Sequence, residues 1–333
     1  KGMAAAATAV PHSRGLFELD EAVATYWPEF AQFGKGDITV RQLLTHQAGL
    51  ISIGGPIDAQ TLGDHDLMAE IIARQKPAWR PGIRHGYHTL TLGWYQSELI
   101  RRVDPQHRSL GVFFQDEVAR PLGVDFFIGL PASVTEERIA KIEGFHRVEL
   151  LRHFDKLPVA MILAGIWPKS LVAKSVRCLG INNPAGIGDP EYRGVEIPSA
   201  NGIGEARALA KIYGILACGG RALGITARTM QELVAPALAS PLGTRDAILK
   251  IDTRYGFGFS RPSRAMQFGA DHSAFGSPGA GGSFAMADPK EELGFAYLTN
   301  KMGFRLFDDP REKAVRDACY DSLAAIRSHR LVA

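Results

Sequence analysis

Two short apolar runs near the C-terminus constrain the fold more than any other feature of the sequence. Residues 283–287 (Ser-Phe-Ala-Met-Ala) and 294–299 (Gly-Phe-Ala-Tyr-Leu-Thr) have the length of strands, and the sequence between them, Asp-Pro-Lys-Glu-Glu, is a turn signal. Such runs on either side of a turn predict a β-hairpin. Most of the preceding chain has helical periodicity, so the order of elements indicates an α+β fold and not the alternating strands and helices of a doubly wound sheet.

The first part of the chain is predicted to be mainly helical. Residues 3–10 are rich in alanine, the best helix former, and Pro11 is expected to end that helix. Thr39 can cap the next helix, with Gln42 at its third position as in a capping box. Residues 105–240 are predicted to continue as helices between Gly and Pro breaks. Helical spacing of apolar residues is found at 64–74, 90–103 and 204–217.

The C-terminal part combines strands with a closing helix. Residues 255–260 alternate apolar and small side chains, a pattern that favours a strand. Two aspartates and a proline at 308–310 are typical of the first turn of a helix. Residues 156–194 have little periodicity and are predicted to form short helices and loops. We therefore expect a mainly helical domain over residues 1–245, and an antiparallel-sheet part with a C-terminal helix over residues 246–333.

Charge and cysteine usage exclude several classes of protein. The 38 Lys and Arg residues exceed the 35 Asp and Glu residues by 3, and they are scattered, so nucleic-acid binding is not indicated. The 3 cysteines lie far apart without C-x-x-C spacing, so neither a zinc site nor a disulfide framework is suggested. No histidine pair belongs to a ligand motif, and we expect no metal and no cofactor. No apolar run approaches the roughly 18 residues of a membrane span.

Two segments are candidates for chemistry. Tyr87 follows a Pro-Gly turn and opens a predicted helix, where a tyrosine is more often half-buried packing than a catalytic group. Residues 275–283 (Phe-Gly-Ser-Pro-Gly-Ala-Gly-Gly-Ser) are dense in glycine, which gives either a flexible strand edge or a backbone that a substrate can approach closely. Ser283 is disfavoured as a nucleophile, because its surroundings lack the second glycine and the helix of a nucleophile elbow.

Four segments occur in a fixed order along the chain. They are residues 38–50 (ITVRQLLTHQAGL), residues 87–89 (YHT), residues 255–259 (YGFGF) and residues 275–289 (FGSPGAGGSFAMADP). In this order they resemble elements of the serine β-lactamase-like superfamily, which includes class C β-lactamases, DD-peptidases and family VIII carboxylesterases. The resemblance implies a β-lactamase/transpeptidase-like fold, in which a helical domain packs against an antiparallel sheet flanked by helices.

The resemblance also implies roles for particular residues. The opening Lys-Gly-Met-Ala is similar to the end of an S-x-x-K-G-M-A motif, so Lys1 would be the motif lysine and the nucleophilic serine would lie three positions before it. Tyr87 matches the tyrosine of Y-x-N, and the neighbouring cation is expected to favour its tyrosinate form. Ser277 and Gly279 occupy the first and third positions of the K-T-G or H-x-G element, which puts an oxyanion-binding N–H on Ala280.

Two departures from the superfamily pattern favour an esterase. Thr89 replaces the asparagine of Y-x-N at a substrate-binding position, and Ser277 replaces the Lys or His that helps to hold a substrate carboxylate. The resemblance thus implies a serine hydrolase that acts on a small ester or amide through an acyl-enzyme, with an esterase favoured over a β-lactamase or DD-peptidase. The altered positions leave open a non-catalytic scaffold or binding protein that keeps the fold.

The resemblance starts at Lys1. The superfamily's N-terminal helix and first two strands are therefore expected to be absent from these 333 residues, and the chain as written is predicted to be inactive. The sequence leaves the oligomeric state and the compartment open, with the cytoplasm slightly favoured.

Overall fold

The computed structural model describes residues 1–55, 57–144, 153, 156–179 and 184–332. The α-helices are α1 Gly2–Ser13, α2 Val23–Tyr26, α3 Val40–Leu44, α4 Ala59–Gly63, α5 His65–Ala73, α6 Thr91–Val103, α7 Leu110–Phe114, α8 Arg120–Leu122, α9 Val159–Ile166, α10 Leu171–Val176, α11 Pro190–Arg193, α12 Ala206–Ala217, α13 Ala227–Val234 and α14 Pro310–Val332. Short 3₁₀ helices span Pro28–Gly34, Glu136–Arg138, Pro184–Gly188 and Arg221–Leu223, and a π-helical turn spans Gln115–Ala119. The strands are β1 Phe126–Ile128, β2 Gly202–Gly204, β3 Tyr255–Gly256, β4 Phe259–Ser260, β5 Phe275–Pro278, β6 Phe284–Asp288 and β7 Leu293–Tyr297.

Helix α1 lies inside the core. Its residues from Gly2 to His12 are all buried, and it packs against α6 and α7. The predicted alanine-rich helix is confirmed, but the expectation that Pro11 ends it is wrong, because the helix continues to Ser13. Proline removes only its own N–H donor and crowds the preceding turn, and burial of the helix on all sides outweighs that loss here.

Local signals in the sequence locate several other helices correctly. The hydroxyl of Thr39 accepts the N–H of Gln42, whose side chain accepts the N–H of Thr39, so the capping box is formed. The predicted stretches 64–74, 90–103 and 204–217 correspond to α5, α6 and α12, and the closing helix α14 begins at Pro310. Short helices occupy the described part of 156–194, of which residues 180–183 lie outside the described residues.

A five-stranded antiparallel sheet has the order β3-β4-β5-β6-β7. The predicted hairpin is confirmed as β6 and β7, with Phe284 opposite Tyr297. Residues 255–260 do not form one strand, which corrects the sequence-based expectation: β3 and β4 pair with each other around Phe257 and Gly258. Both turn residues have positive φ, 50° and 81°, and the glycine adopts such a conformation at little cost. Helix α12 packs on β6 and β7.

A second, two-stranded sheet lies within the region predicted to be helical. Strands β1 and β2 pair with Phe126 opposite Gly204, so the prediction of helices throughout 105–240 is wrong there. A Cβ placed on Gly202 or Gly204 would lie 2.6 Å from the Phe126 ring, so glycine allows this close pairing. Three-residue strands are too short to show periodicity in a sequence.

The main hydrophobic core includes residues from α1, α6 and α12 together with Phe259, Phe275 and Ala285 of the sheet. A smaller cluster, which includes Phe268 and Phe284, lies on the other side of the sheet against Tyr320 of α14. The division into domains at residue 245 stays a prediction. No helix within the described residues combines the length and the apolar character needed to cross a bilayer.

Candidate active site

Lys1 stands at the beginning of α1, and its side chain is held by backbone carbonyls. The ε-amino nitrogen donates to the carbonyl oxygen of Thr89 at 2.6 Å and to that of Ser199 at 2.8 Å. Burial lowers the pKa of this amino group from 10.5 to about 7, because removing the amine from water disfavours its charged form. Lys1 is therefore a lysine whose amine is substantially unprotonated near neutral pH.

The predicted catalytic residues Lys1 and Tyr87 lie together. The Lys1 Nζ is 4.8 Å from the centroid of the Tyr87 ring. Burial first, and the charge of Asp246 second, raise the pKa of the Tyr87 phenol above its usual range. The expectation of a tyrosinate is therefore wrong: the phenol keeps its proton at neutral pH, and the amine is the group that can accept one.

Asp246 organises the segment that carries Tyr87. Its buried carboxylate accepts the backbone N–H of Tyr87, with contacts of 3.2 and 3.1 Å. The N–H groups of Ile248 and Leu249 donate to it at 2.7 and 2.9 Å. The hydroxyl of Tyr255 donates at 3.0 Å, and its ring is stacked on that of Tyr87 with a centroid separation of 6.0 Å.

Two buried histidines lie beside Tyr87, and the His46 ring contacts those of both Tyr87 and Tyr255. The Nδ1 atoms of His46 and His88 are 3.0 Å apart, and His88 Nε2 accepts the N–H of Leu50 at 3.0 Å. Burial lowers the pKa of His88 to about 3 and holds that of His46 well below its usual range, so both rings are neutral. The part of the chain that the structure describes contains no group of three or more His, Cys, Asp or Glu side chains suited to a metal ion.

Strand β5 and the turn after it carry the predicted oxyanion segment. The N–H of Gly279 donates to the carbonyl of Ser283 at 2.7 Å, and the N–H of Gly282 donates to the carbonyl of Gly279 at 3.3 Å. Ala280 at the tip of this turn is exposed, and its N–H makes no hydrogen bond to any residue that the structure describes. That N–H is therefore available to a substrate oxygen.

Gly2 brings the Lys1 segment against β5. A Cβ placed on Gly2 would lie 3.1 Å from the Cβ of Ser277 and only 1.9 Å from the hydroxyl oxygen of Tyr213. Only a residue without a side chain fits this position. The buried Tyr213 hydroxyl has no hydrogen-bond partner among the described residues.

The structure thus joins Lys1, Tyr87 and Thr89, and it packs Ser277 against the residue after Lys1. Thr89 contributes its backbone carbonyl, a role that its side chain could not reveal. Asp246 and Ser199 were not predicted from the sequence as site residues. Asp246 could have been noticed as the one acid before an apolar Ala-Ile-Leu run, whereas Ser199 acts through a backbone oxygen and leaves no side-chain signal.

Comparison with known proteins identifies the family. The beta-lactamase family model matches residues 1–320. The Esterase/beta-lactamase LipL of Mycobacterium tuberculosis (strain ATCC 25618 / H37Rv) is 30% identical over 324 residues, which cover 91% of this chain and 68% of that protein.

Solved structures share the fold over almost the whole chain. A family VIII carboxylesterase superposes with a TM-score of 0.81 and 35% identity, covering 96% of this chain and 80% of that chain. EstA from Arthrobacter nitroguajacolicus Rue61a gives 0.82 and 28%, with coverage of 98% and 83%. A penicillin-binding protein homologue from Caulobacter crescentus gives 0.75 and 35%, with coverage of 96% and 81%. The chain therefore belongs to the beta-lactamase family of serine hydrolases and has the β-lactamase/transpeptidase-like fold.

Proposed function

We propose that this protein is an esterase that hydrolyses small esters through an acyl-enzyme, and that Lys1 and Tyr87 move the protons of that reaction. The observation that carries the proposal is the pairing of the two side chains. An amine with a pKa near 7 lies 4.8 Å from the ring of a phenol that keeps its proton. A base of this pKa works best near neutral pH, where enough of it is unprotonated.

The nucleophile is proposed to be a serine three positions before Lys1, as in the S-x-x-K motif. Residues three apart on a helix lie on the same face, so such a serine would stand beside the Lys1 amine. The amine takes the serine proton while the serine oxygen attacks the ester carbonyl carbon. When the tetrahedral intermediate collapses, the bond to the alcohol oxygen breaks and the alcohol leaves with a proton delivered through Lys1 and Tyr87. Water then hydrolyses the acyl-enzyme by the same route.

An oxyanion forms in both steps. We assign its stabilisation to the N–H of Ala280 and the N–H of the nucleophilic serine. Ala280 suits this role because the residue is exposed and its N–H is unpaired among the described residues, whereas the N–H of Gly279 donates to the carbonyl of Ser283. Preorganised donors of this kind stabilise the developing negative charge, and losing one costs about 10²–10³ in turnover.

The preference for esters rests on two positions. Ser277 presents a neutral hydroxyl where a β-lactamase or DD-peptidase would use a cation to hold a substrate carboxylate. Thr89 replaces an asparagine and gives its carbonyl to Lys1. Relatives named as esterases or carboxylesterases support the same preference.

The test uses two proteins: the 333-residue chain and the gene product translated from its own initiation codon. Each is treated with a fluorophosphonate probe and assayed with p-nitrophenyl acetate and with nitrocefin. We expect the gene product to be labelled on a serine three residues before Lys1 and to hydrolyse the acetate ester faster than nitrocefin. We expect the 333-residue chain to be neither labelled nor active.

Each alternative has its own result. Faster turnover of nitrocefin would show that the β-lactamase assignment is right and the ester preference wrong. Absence of labelling in a folded gene product would favour a non-catalytic scaffold or binding protein. Labelling of the 333-residue chain would show that the nucleophile lies elsewhere.

A further inference from the structure

Helix α9 exposes an unusual amount of apolar surface. Val159, Leu163, Ile166 and the adjacent Trp167 are 64%, 59%, 68% and 73% exposed. Their spacing of four, three and one residues places them on one side of the helix and at its end. We call these four residues the apolar face. Proteins rarely leave contiguous apolar patches in water unless the patch binds something.

A group of basic residues follows the apolar face. Lys169, Lys174 and Arg177 are exposed, and none of them forms an ion pair with a described residue. We call these three residues the basic rim. The sequence from residue 156 to residue 188 has four Lys or Arg and no Asp or Glu, in a protein whose charges are otherwise nearly balanced. The exposed apolar side chains of α9 are thus followed in sequence by positive charge, and α9 packs against α10, which carries Lys174.

Backbone hydrogen bonds attach the segments before and after the apolar face to the rest of the fold. Before it in sequence, the N–H of Glu143 donates to the carbonyl of Asn300 at 2.7 Å, and the N–H of Met302 donates back to Glu143 at 2.9 Å. After it, the N–H of Ile57 donates to the carbonyl of Cys178 at 3.0 Å. Helices α9 and α10 are thus attached on both sides, and whatever binds the apolar face binds the protein as a whole.

We propose that the apolar face and the basic rim form a docking surface for an anionic phospholipid membrane. Apolar side chains with a tryptophan next to basic residues fit the boundary between acyl chains and negatively charged headgroups. Lysine and arginine near such a surface add electrostatic attraction. The eight residues of α9 span about 12 Å at 1.5 Å per residue, so the helix lies in the interface and does not cross the roughly 30 Å hydrocarbon core.

A second copy of the chain fits this surface less well. A two-fold contact presents the same apolar face and the same basic rim from both copies, so a second copy offers this surface no negative charge. An anionic membrane complements the same charges. The proposal does not depend on the proposed esterase activity, because docking requires no turnover.

The experiment measures co-sedimentation of the 333-residue chain with vesicles of pure POPC and vesicles of equimolar POPC and POPG. We expect binding to the POPG vesicles, weakening as salt is added, with a blue shift of tryptophan fluorescence that is absent in Trp167→Phe. Leu163→Glu and Lys169→Gln/Lys174→Gln should each weaken binding by about tenfold or more.

Matched controls test whether a change of charge elsewhere on the surface weakens membrane binding to the same extent. Ile326→Glu places the same charge on an exposed apolar residue of α14, and Lys76→Gln/Arg221→Gln removes two exposed cations elsewhere. Both controls should bind like the original chain. No binding to POPG vesicles, or equal binding by Leu163→Glu, would overturn the proposal. A dimer in sedimentation velocity that Leu163→Glu dissociates would also overturn it, because the partner would then be a second copy.

Discussion

The ε-amino group of Lys1 lies 4.8 Å from the ring centroid of Tyr87 while it donates its hydrogen bonds to the carbonyls of Thr89 and Ser199. These carbonyl acceptors hold the amine in place, but they are neutral and do not offset the positive charge of a protonated lysine. Burial therefore lowers the pKa of Lys1 to about 7, and no carboxylate among the described residues raises it again. The pair therefore consists of an amine that can accept a proton near neutral pH and a phenol that keeps its proton.

Tyr87→Phe should lower kcat of the gene product for p-nitrophenyl acetate by roughly 10²-fold, because it removes a proton-transfer group and keeps the ring. The ring contacts with His46 and Tyr255 should survive, so the thermal unfolding curve should stay the same. Tyr26→Phe, which removes a phenol that accepts the N–H of Glu18, is the matched control and should keep full turnover. Equal kcat for both variants would show that Tyr87 serves packing only.

The pH dependence of kcat/KM follows from the Lys1 pKa. An amine acting as base must be unprotonated, so activity should be present above pH 7 and lost as pH falls through about 7. The Tyr87 phenol stays protonated over this range because its pKa is raised. Steady-state rates measured from about pH 5 to about pH 9 give the profile, because this range brackets the expected midpoint. A profile that is flat between pH 6 and pH 8 would contradict the assignment of Lys1 as base.

Stability should depend on pH through the same group. Between pH 7 and 10.5 the unfolded lysine is protonated while folded Lys1 is not, so the unfolded state binds more protons and stability rises with pH. Lys35, with a pKa lowered to about 8 by burial, contributes in the same direction above pH 8. Lys1→Met should raise Tm at pH 7 and reduce the increase of Tm between pH 7 and pH 8. An unchanged slope in this variant would show that the amine is not buried in solution.

The sequence predicts the elements whose determining contacts are local. The capping box of Thr39 and Gln42 spans three residues, and the β6-β7 hairpin is determined by its own turn. The site depends on distant contacts: Lys1 to Ser199 joins residues 198 positions apart, and Tyr87 to Asp246 joins residues 159 apart. The resemblance predicts that Lys1 and Tyr87 lie together. The tyrosinate form expected for Tyr87 is wrong, because the burial of Tyr87 and the charge of Asp246 are visible only in the folded chain.

Gly2→Ala should destabilise the protein by about 1–3 kcal/mol, because the new methyl group would lie 1.9 Å from the Tyr213 hydroxyl oxygen. Adding Tyr213→Phe should recover part of the loss, since it removes the clashing atom and a buried hydroxyl without a described partner. Gly36→Ala, where nothing lies within 4 Å of the added methyl, is the matched control. Denaturant unfolding measures all four proteins. Equal stability of Gly2→Ala and Gly36→Ala would show that the close approach is absent.

Asp246→Ala should destabilise the fold by roughly 3 kcal/mol, because it leaves several buried donors unpaired, including the Tyr87 N–H and the Tyr255 hydroxyl. Asp246→Asn keeps one acceptor oxygen and removes the charge, so it should be milder and should lower the Tyr87 pKa towards its ordinary value. Spectrophotometric titration of the phenols, compared with the same titration in Tyr87→Phe, measures that shift.

Asp288 provides the control for Asp246→Asn, because it tests whether a loss of kcat comes from the contact with Tyr87 or from a less stable fold. Its buried carboxylate also accepts several donors, among them the N–H of Ala270 and the hydroxyl of Tyr320, but it lies on the α14 side of the sheet. Asp288→Asn should therefore destabilise the fold to a similar degree while kcat of the folded fraction stays unchanged, whereas Asp246→Asn should change both. If the two variants lose kcat equally, Asp246 stabilises the fold without positioning Tyr87, because Asp246 accepts the Tyr87 N–H whereas Asp288 accepts donors beside α14.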